Sequence, residues 1–297
     1  MVEFVDINGA RLAYRICGPD HAPLMITLHG GRGMGKSTIS ISQIVTSDSS
    51  SDCYIIQTGD HRSDFAIYSK LSDQLRVLSF DFRGHGQSSR TRPYTFEQIV
   101  DDIEGLRKHF AVSSKVIICG GSFGGFLAQH YAIKYASHVS HLILRGTAAS
   151  HHHEEGAIET LKKRLDKAPS FSEDMLRNKV FGAYESDLEF QLVHFASMPL
   201  YKEVFDPDAA LASCVDNVYV AESHNDLYSA SEKYFDYTGQ LHKITARTLV
   251  IVGDQDWICP PANVPGAELF VVEGANHSVH AEKPELVLNK IREHILK

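Results

Sequence analysis

Cysteine is scarce and scattered: the 297-residue chain holds five, Cys17, Cys53, Cys119, Cys214 and Cys259. Their number is odd and no two stand as C-x-x-C, which argues against a disulfide framework and against a zinc site built on thiolate pairs. Basic residues are outnumbered, with 29 Lys and Arg against 37 Asp and Glu and a formal charge of −8. No basic block occurs, so nucleic acid and anionic membrane surfaces are poor partners. No apolar run approaches the ~20 residues of a spanning helix, and Met1–Asp6 has no basic flank with an apolar stretch behind it. A soluble, cytoplasmic protein is expected. Hydrophobic residues make up 43% and charged residues 22%, the balance of a folded chain large enough for one large domain or two ordinary ones.

Short apolar runs alternate with helix-like segments. Val2–Val5 and Arg11–Ile16 flank Asn8-Gly9, a pair suited to the positive φ angles of a tight primed turn, and predict an N-terminal hairpin. Leu24–Leu28, Val77–Phe80, Val116–Cys119, Leu142–Leu144, Thr248–Val252 and Leu269–Val272 are nearly continuous apolar runs, the pattern of strands covered on both faces. Thr95–Phe110 carries Phe96, Ile99, Ile103, Leu106 and Phe110 at helical spacing, and Phe126–Tyr135 reads as a second helix. Alternating strand and helix predict an α/β fold with a mostly parallel sheet. Residues 147–241 break that rhythm, with a helical pattern, many charged and aromatic residues and no convincing buried strand. They are expected to form a helical cap inserted in a core made of residues 1–146 and 242–297. Ligands of open α/β sheets bind beyond the carboxyl ends of the strands, where such a cap would roof the site.

Gly120-Gly121-Ser122-Phe123-Gly124-Gly125 follows one apolar run and precedes a helix, which is G-x-S-x-G in the context that exposes a serine hydroxyl on a strained turn. A serine hydroxyl is a weak nucleophile at neutral pH, so a base must take its proton and a carboxylate must orient that base. Downstream, Gly253-Asp254-Gln255-Asp256 and Gly274-Ala275-Asn276-His277 each follow a strand run. They offer His277 as base and Asp254 or Asp256 as the acid. His29-Gly30-Gly31-Arg32-Gly33 follows the run Leu24–Leu28, and its Gly31 N–H, with that of Phe123, is a candidate pair of donors for a developing oxyanion. Trp257 either lines the acyl pocket or packs its loop. His151-His152-His153 suggests no metal site, because adjacent residues do not share a helix face; a solvated loop is expected there.

Together with Asp81-Phe82-Arg83-Gly84-His85-Gly86-Gln87-Ser88 and Pro260, these elements resemble the α/β-hydrolase superfamily. The HGG opening and the GGSFGG elbow are most similar to the proline iminopeptidase (prolyl aminopeptidase) family. The resemblance implies an α/β-hydrolase fold with a mostly parallel sheet and an inserted helical cap. It implies a Ser122–His277–Asp256 triad, the second acid of G-x-x-D being the triad member, and an acyl-enzyme mechanism with no cofactor or metal. Peptidase relatives hold the substrate's amino group with cap carboxylates, a role that falls to Asp226, with Glu222 beside it. The expected activity is release of N-terminal residues from peptides or amides. A carboxylesterase, lactonase or thioesterase acting on a small molecule is the alternative. The expected partner is thus a small molecule or short peptide, and the oligomeric state is left open.

Three features depart from that pattern. Gly30–Ser37 also satisfies the phosphate-cradling G-x-x-x-x-G-K-[ST], but Ser37–Ser42 is Ser-rich and β-branched, a poor start for the helix that a phosphate site needs. Residues 36–59 lengthen the distance from the HGG loop to Asp81 beyond that of the relatives and read as an atypical insertion, or as a non-coding piece retained in the gene model. The segment 257–266 is too short for the usual crossover helix and is expected to leave the last strand, and His277 with it, poorly placed. The two latter features make an inactive, non-catalytic member a third reading.

Overall fold

The computed structural model describes residues 2–36, 61–111, 115–201, 203–259 and 266–296. The insertion expected over 36–59 therefore lies outside the described residues except for Lys36, as do Cys53, Pro260 and most of the shortened stretch 257–266. Among the described residues no helix is long and apolar enough to cross a membrane.

In chain order the elements are β1 (Glu3–Ile7), β2 (Ala10–Cys17), β3 (Leu24–Leu28), β4 (Met34–Lys36), α1 (His61–Tyr68), β5 (Arg76–Phe80), α2 (Phe96–Phe110), β6 (Val116–Gly121), α3 (Phe123–Lys134) and β7 (Val139–Arg145). Then come α4 (His153–Lys162), α5 (Glu173–Met175), α6 (Asp187–Ser197), α7 (Pro207–Asp216), β8 (Asn217–Tyr219) and α8 (Ala221–Leu227). The chain closes with β9 (Arg247–Gly253), β10 (Glu268–Val272), α9 (Val279–Glu282) and α10 (Pro284–Leu296). Eight strands form one sheet in the order β1-β2-β5-β3-β6-β7-β9-β10. The first two run antiparallel, joined by Asn8 (φ 48°) and Gly9 (φ 78°), and every pair from β5 to β10 is parallel. This is the α/β-hydrolase architecture.

Side-chain alternation along each strand divides the core in two. Met25, Val77, Ile117, Cys119, Ile143 and Leu249 pack with Ile67 of α1 and Leu288 of α10. Ile26, Leu28, Leu78, Ile118, Leu142 and Leu144 point to the other face, against Ile103 of α2 and Leu127 of α3. Thr95 caps α2 by accepting the Gln98 N–H at 3.2 Å, and α3 begins at Phe123, three residues before the helix read from the sequence.

The stretch between β7 and β9 is not the purely helical one that the sequence pattern predicts. β8 lies within it and pairs antiparallel with β4, Met34 opposite Tyr219 and Lys36 opposite Asn217. The extended Met34–Lys36 backbone is likewise not the turn into a helix that a phosphate loop makes. At the other end of the sheet, β10 keeps register with β9 from Glu268 opposite Leu249 to Val272 opposite Gly253, so the last strand is not misplaced by the short crossover.

Arg83 ties the loop after β5 to α2. Its Nε and Nη2 donate to the two Asp102 carboxylate oxygens at 2.6 and 2.8 Å, and both side chains are 1% exposed. Replacing one member strands a buried charge, so Arg83→Met is expected to lose about 3–5 kcal/mol in urea unfolding, and adding Asp102→Leu to recover much of it. Two bonds at Asp81 hold the same loop: its Oδ1 accepts the His61 N–H and its Oδ2 that of Gln87. Burial pushes the Asp81 carboxyl up, but His61, with Nδ1 2.7 Å from Oδ1, outweighs it and leaves the carboxyl at about 2. A depressed carboxyl stabilises the fold above its unfolded value near 3.8 and loses that contribution as pH falls toward 2. Acid titration of unfolding is expected to be shallower over that window in Asp81→Asn.

Candidate active site

Ser122 occupies the one-residue turn between β6 and α3, with φ 51° and ψ −122°. That positive φ is unusual for a residue with a Cβ and is held by neighbours. The Ser122 N–H lies 3.0 and 3.1 Å from the carbonyls of Arg145 and Gly146, and the Thr147 hydroxyl donates to the Ser122 carbonyl at 2.8 Å. The turn also needs β3 and α3 to touch: a Cβ on Gly124 would stand 2.1 Å from the Leu28 carbonyl oxygen.

The loops after β9 and β10 meet beside it. His277 Nδ1 lies 3.0 Å from each Asp256 carboxylate oxygen, which fixes the proton on Nδ1 and leaves Nε2 as the basic nitrogen. Asp256 Oδ1 also accepts the Ile258 and Cys259 N–H groups at 3.1 Å, and the His277 N–H donates to Asn276 Oδ1 at 2.8 Å. Asp254 turns away: it is exposed and takes the Gly274 N–H at 2.8 Å. Tyr201 stands edge-on to the imidazole, ring centroids 5.7 Å apart.

Ser122, His277, Gly31 and Phe123 all line one cavity of about 360 Å³. Gly31 has φ 75° and Phe123 is the first residue of α3. Phe126 of the core and Phe181, Tyr184, Phe190, Tyr201 and Tyr228 of the cap complete an aromatic wall. Behind Gly121 lies a buried cluster in which Arg145 Nη2 meets Asp64 Oδ1 at 2.7 Å and Nη1 lies 3.0 Å from His280 Nδ1. Burial, then Arg145, pushes His280 down to about 4, so it stays neutral beside the guanidinium. Under the Gly-rich loop, His85 Nε2 accepts the Gly33 N–H at 2.7 Å while Nδ1 donates to the Arg83 carbonyl. Burial, then His29, holds His85 at about 3.

Three expectations do not reach the cavity. Glu222 and Asp226 are held by Arg92, at 2.6 and 3.1 Å, on the outside of the molecule, and neither lines the cavity. Trp257 is 2% exposed and packs edge-on to Tyr201 at 5.3 Å, while its neighbours Ile258 and Cys259 do the lining. The triple histidine is not a solvated loop throughout: His153 starts α4, is buried and lines the cavity. Among the described residues no cluster suited to a metal ion occurs. The sequence pattern assigns no role to Arg32, which stands in it only as a member of the glycine-rich loop His29–Gly33, and does not reveal the partnership of Asp64, Arg145 and His280, which are brought together from three distant segments.

Gly146 adjoins Asp256 and His277. It has φ 46°, and a Cβ there would stand 2.9 Å from Asp256 Oδ2 and 3.2 Å from His277 Nδ1. Gly146→Ala is expected to cost about 1–2 kcal/mol of stability from the backbone. Because small misplacements of catalytic groups are amplified, it is also expected to slow fluorophosphonate labelling of Ser122 by about 10²-fold. Labelling at the wild-type rate would show that the contact does not constrain the pair.

Comparison with known proteins agrees with this architecture. The model of the alpha/beta hydrolase fold family matches residues 23–284. Over the full length of both chains the sequence is 65% identical to the proline iminopeptidase PfmaB of Pestalotiopsis fici. It is 25% identical to the proline iminopeptidase of Saccharolobus solfataricus, across 95% of this chain and 87% of that one. Among solved structures, an esterase from Exiguobacterium antarcticum superposes with a TM-score of 0.66 at 18% identity, covering 100% of both chains. The chain belongs to the α/β-hydrolase fold family, as a serine hydrolase of the proline iminopeptidase-like kind.

Proposed function

We propose that the protein cleaves amide or ester bonds through an acyl-enzyme on Ser122, releasing N-terminal residues from short peptides or amides. The observation that carries this reading is the two-oxygen contact of Asp256 with His277 Nδ1, at the cavity that Ser122 also lines. His277 Nε2 takes the Ser122 proton as Oγ attacks the carbonyl, and Asp256 stabilises the imidazolium that results. The Gly31 and Phe123 N–H groups hold the oxyanion. As the tetrahedral adduct collapses, Nε2 passes the proton to the leaving amine or alcohol. Water, deprotonated by the same nitrogen, then frees the acid and restores the serine. Every group needed is an amino-acid side chain or backbone amide of this chain.

The substrate's scale follows from the cavity, whose volume and aromatic wall suit a small acyl group such as a prolyl ring. A second reading, a small ester, lactone or thioester, is favoured by the placement of Glu222 and Asp226 against Arg92 rather than toward the cavity.

The test compares proline 4-nitroanilide with 4-nitrophenyl esters, alongside a fluorophosphonate probe. Ser122→Ala is expected to abolish both turnover and labelling. Asp256→Asn, which leaves the imidazole in the wrong tautomer, is expected to lower kcat by about 10⁴-fold. Turnover of the anilide supports the peptidase, and turnover of esters alone supports the second reading. A wild-type protein that the probe does not label, and that turns over neither substrate, would sink the proposal.

A further inference from the structure

The charged side chains lining the cavity are unequally matched. Asp64 and Arg145 neutralise each other at 2.7 Å, and Asp256 serves His277. Asp206 is exposed and spends Oδ1 on the Asp208 and Ala209 N–H groups at the start of α7. His153 and His224 are driven down by burial to about 4 and about 3, so neither brings positive charge. Arg32 is left. It is 5% exposed, and its Nη1 donates to the Leu227 carbonyl at 3.0 Å. Its guanidinium carbon sits 3.6 Å from the centroid of Tyr228, with Phe123, Phe96 and Phe126 at 5.2, 5.3 and 5.6 Å. Ring faces attract the cation but accept none of its in-plane N–H bonds. Among the described residues Nη2 has no hydrogen-bond partner and no carboxylate forms an ion pair with Arg32. Glu154, which acts on Arg32 from a distance, stands 3.7 Å from Lys233 Nζ.

A buried guanidinium with an unused donor is costly unless something completes it. This one belongs to the residue after Gly31 and lies over the ring of the residue after Ser122, next to the site of reaction. We infer that Arg32 receives a carboxylate of the substrate, so that the preferred substrate carries an anionic carboxylate in addition to the carbonyl that Ser122 attacks. The inference rests on the serine-hydrolase reading above and narrows it. A carboxylate accepts the Nη2 proton and neutralises the cavity, whereas an ammonium placed there meets a like charge. Two kinds of substrate supply the group: a dipeptide, through the α-carboxylate of its leaving residue, and a monoester of a dicarboxylic acid, through its acyl half.

Matched pairs separate the sources: prolylglycine against prolylglycinamide, and the mono-4-nitrophenyl ester of glutaric acid against 4-nitrophenyl butyrate. In one pair the wild-type kcat/KM is expected to favour the carboxylate-bearing member at least tenfold, and that pair identifies the source. Arg32→Gln is expected to collapse the ratio toward one, and Arg32→Lys to retain part of it. Glutarate is also expected to raise the melting temperature of the wild type and not of Arg32→Gln, a readout that needs no turnover. A ratio of one or less in both pairs, or a ratio unchanged in Arg32→Gln, overturns the inference. Fluorophosphonate labelling of Ser122 in the same samples keeps the two readings apart. A labelled enzyme without the preference fails only at Arg32, whereas an unlabelled and inert one fails as a hydrolase.

Discussion

The site depends on one backbone torsion. Ser122 sits at φ 51°, a region in which a side chain crowds its own carbonyl, and this is what lifts the hydroxyl out of the sheet into the cavity. The rest of the core is arranged to hold it there. β7 contributes the Arg145 carbonyl and the turn after it the Gly146 carbonyl, while β3 crowds against α3 closely enough that Gly124 has no room for a side chain. The same turn after β7 lies so near Asp256 and His277 that a Cβ on Gly146 would stand 2.9 Å from Asp256 Oδ2. Ser122, Asp256 and His277 thus all adjoin one stretch of backbone, the turn after β7.

Much of the fold was legible because buried parallel strands leave continuous apolar runs. The predicted starts and ends of these strands differ from the observed ones by at most three residues. The candidate site was legible in its placement, with Ser122 on a turn and Asp256 and His277 on loops that each follow a strand end. The remainder failed for reasons of distance and length. β8 has three residues, too few to show any period, and owes its extended form to β4, far away in sequence. Glu222 and Asp226 look like available carboxylates until Arg92, more than a hundred residues earlier, is seen to occupy them. His153 reads as one of three polar neighbours, yet tertiary packing sends it inward beside Phe126 and Phe235, at ring-centroid distances of 5.3 and 6.3 Å.

Electrostatics sets this cavity apart from a simple apolar acyl pocket. Burial keeps His153, His224 and His280 neutral, Asp64 and Arg145 pair with each other, and the Arg32 guanidinium is surrounded by aromatic rings. Solvent exclusion strengthens the field of any such charge, which makes ligand charge a stronger selector here than it would be on an open surface.

The segment between β7 and β9 is bonded to the two loops that carry Gly31 and His277. On one side the β4–β8 ribbon and the 2.7 Å bond from the Val220 N–H to the Gly33 carbonyl fasten it to the loop of Gly31. On the other, Asn276 donates to the Leu200 carbonyl and to Glu203, mooring the residue next to His277. A roof built this way cannot swing as an independent door. To lift, it must break these bonds or drag the Gly31 loop and the His277 imidazole along, so that opening the cavity and shifting both become a single mechanical event.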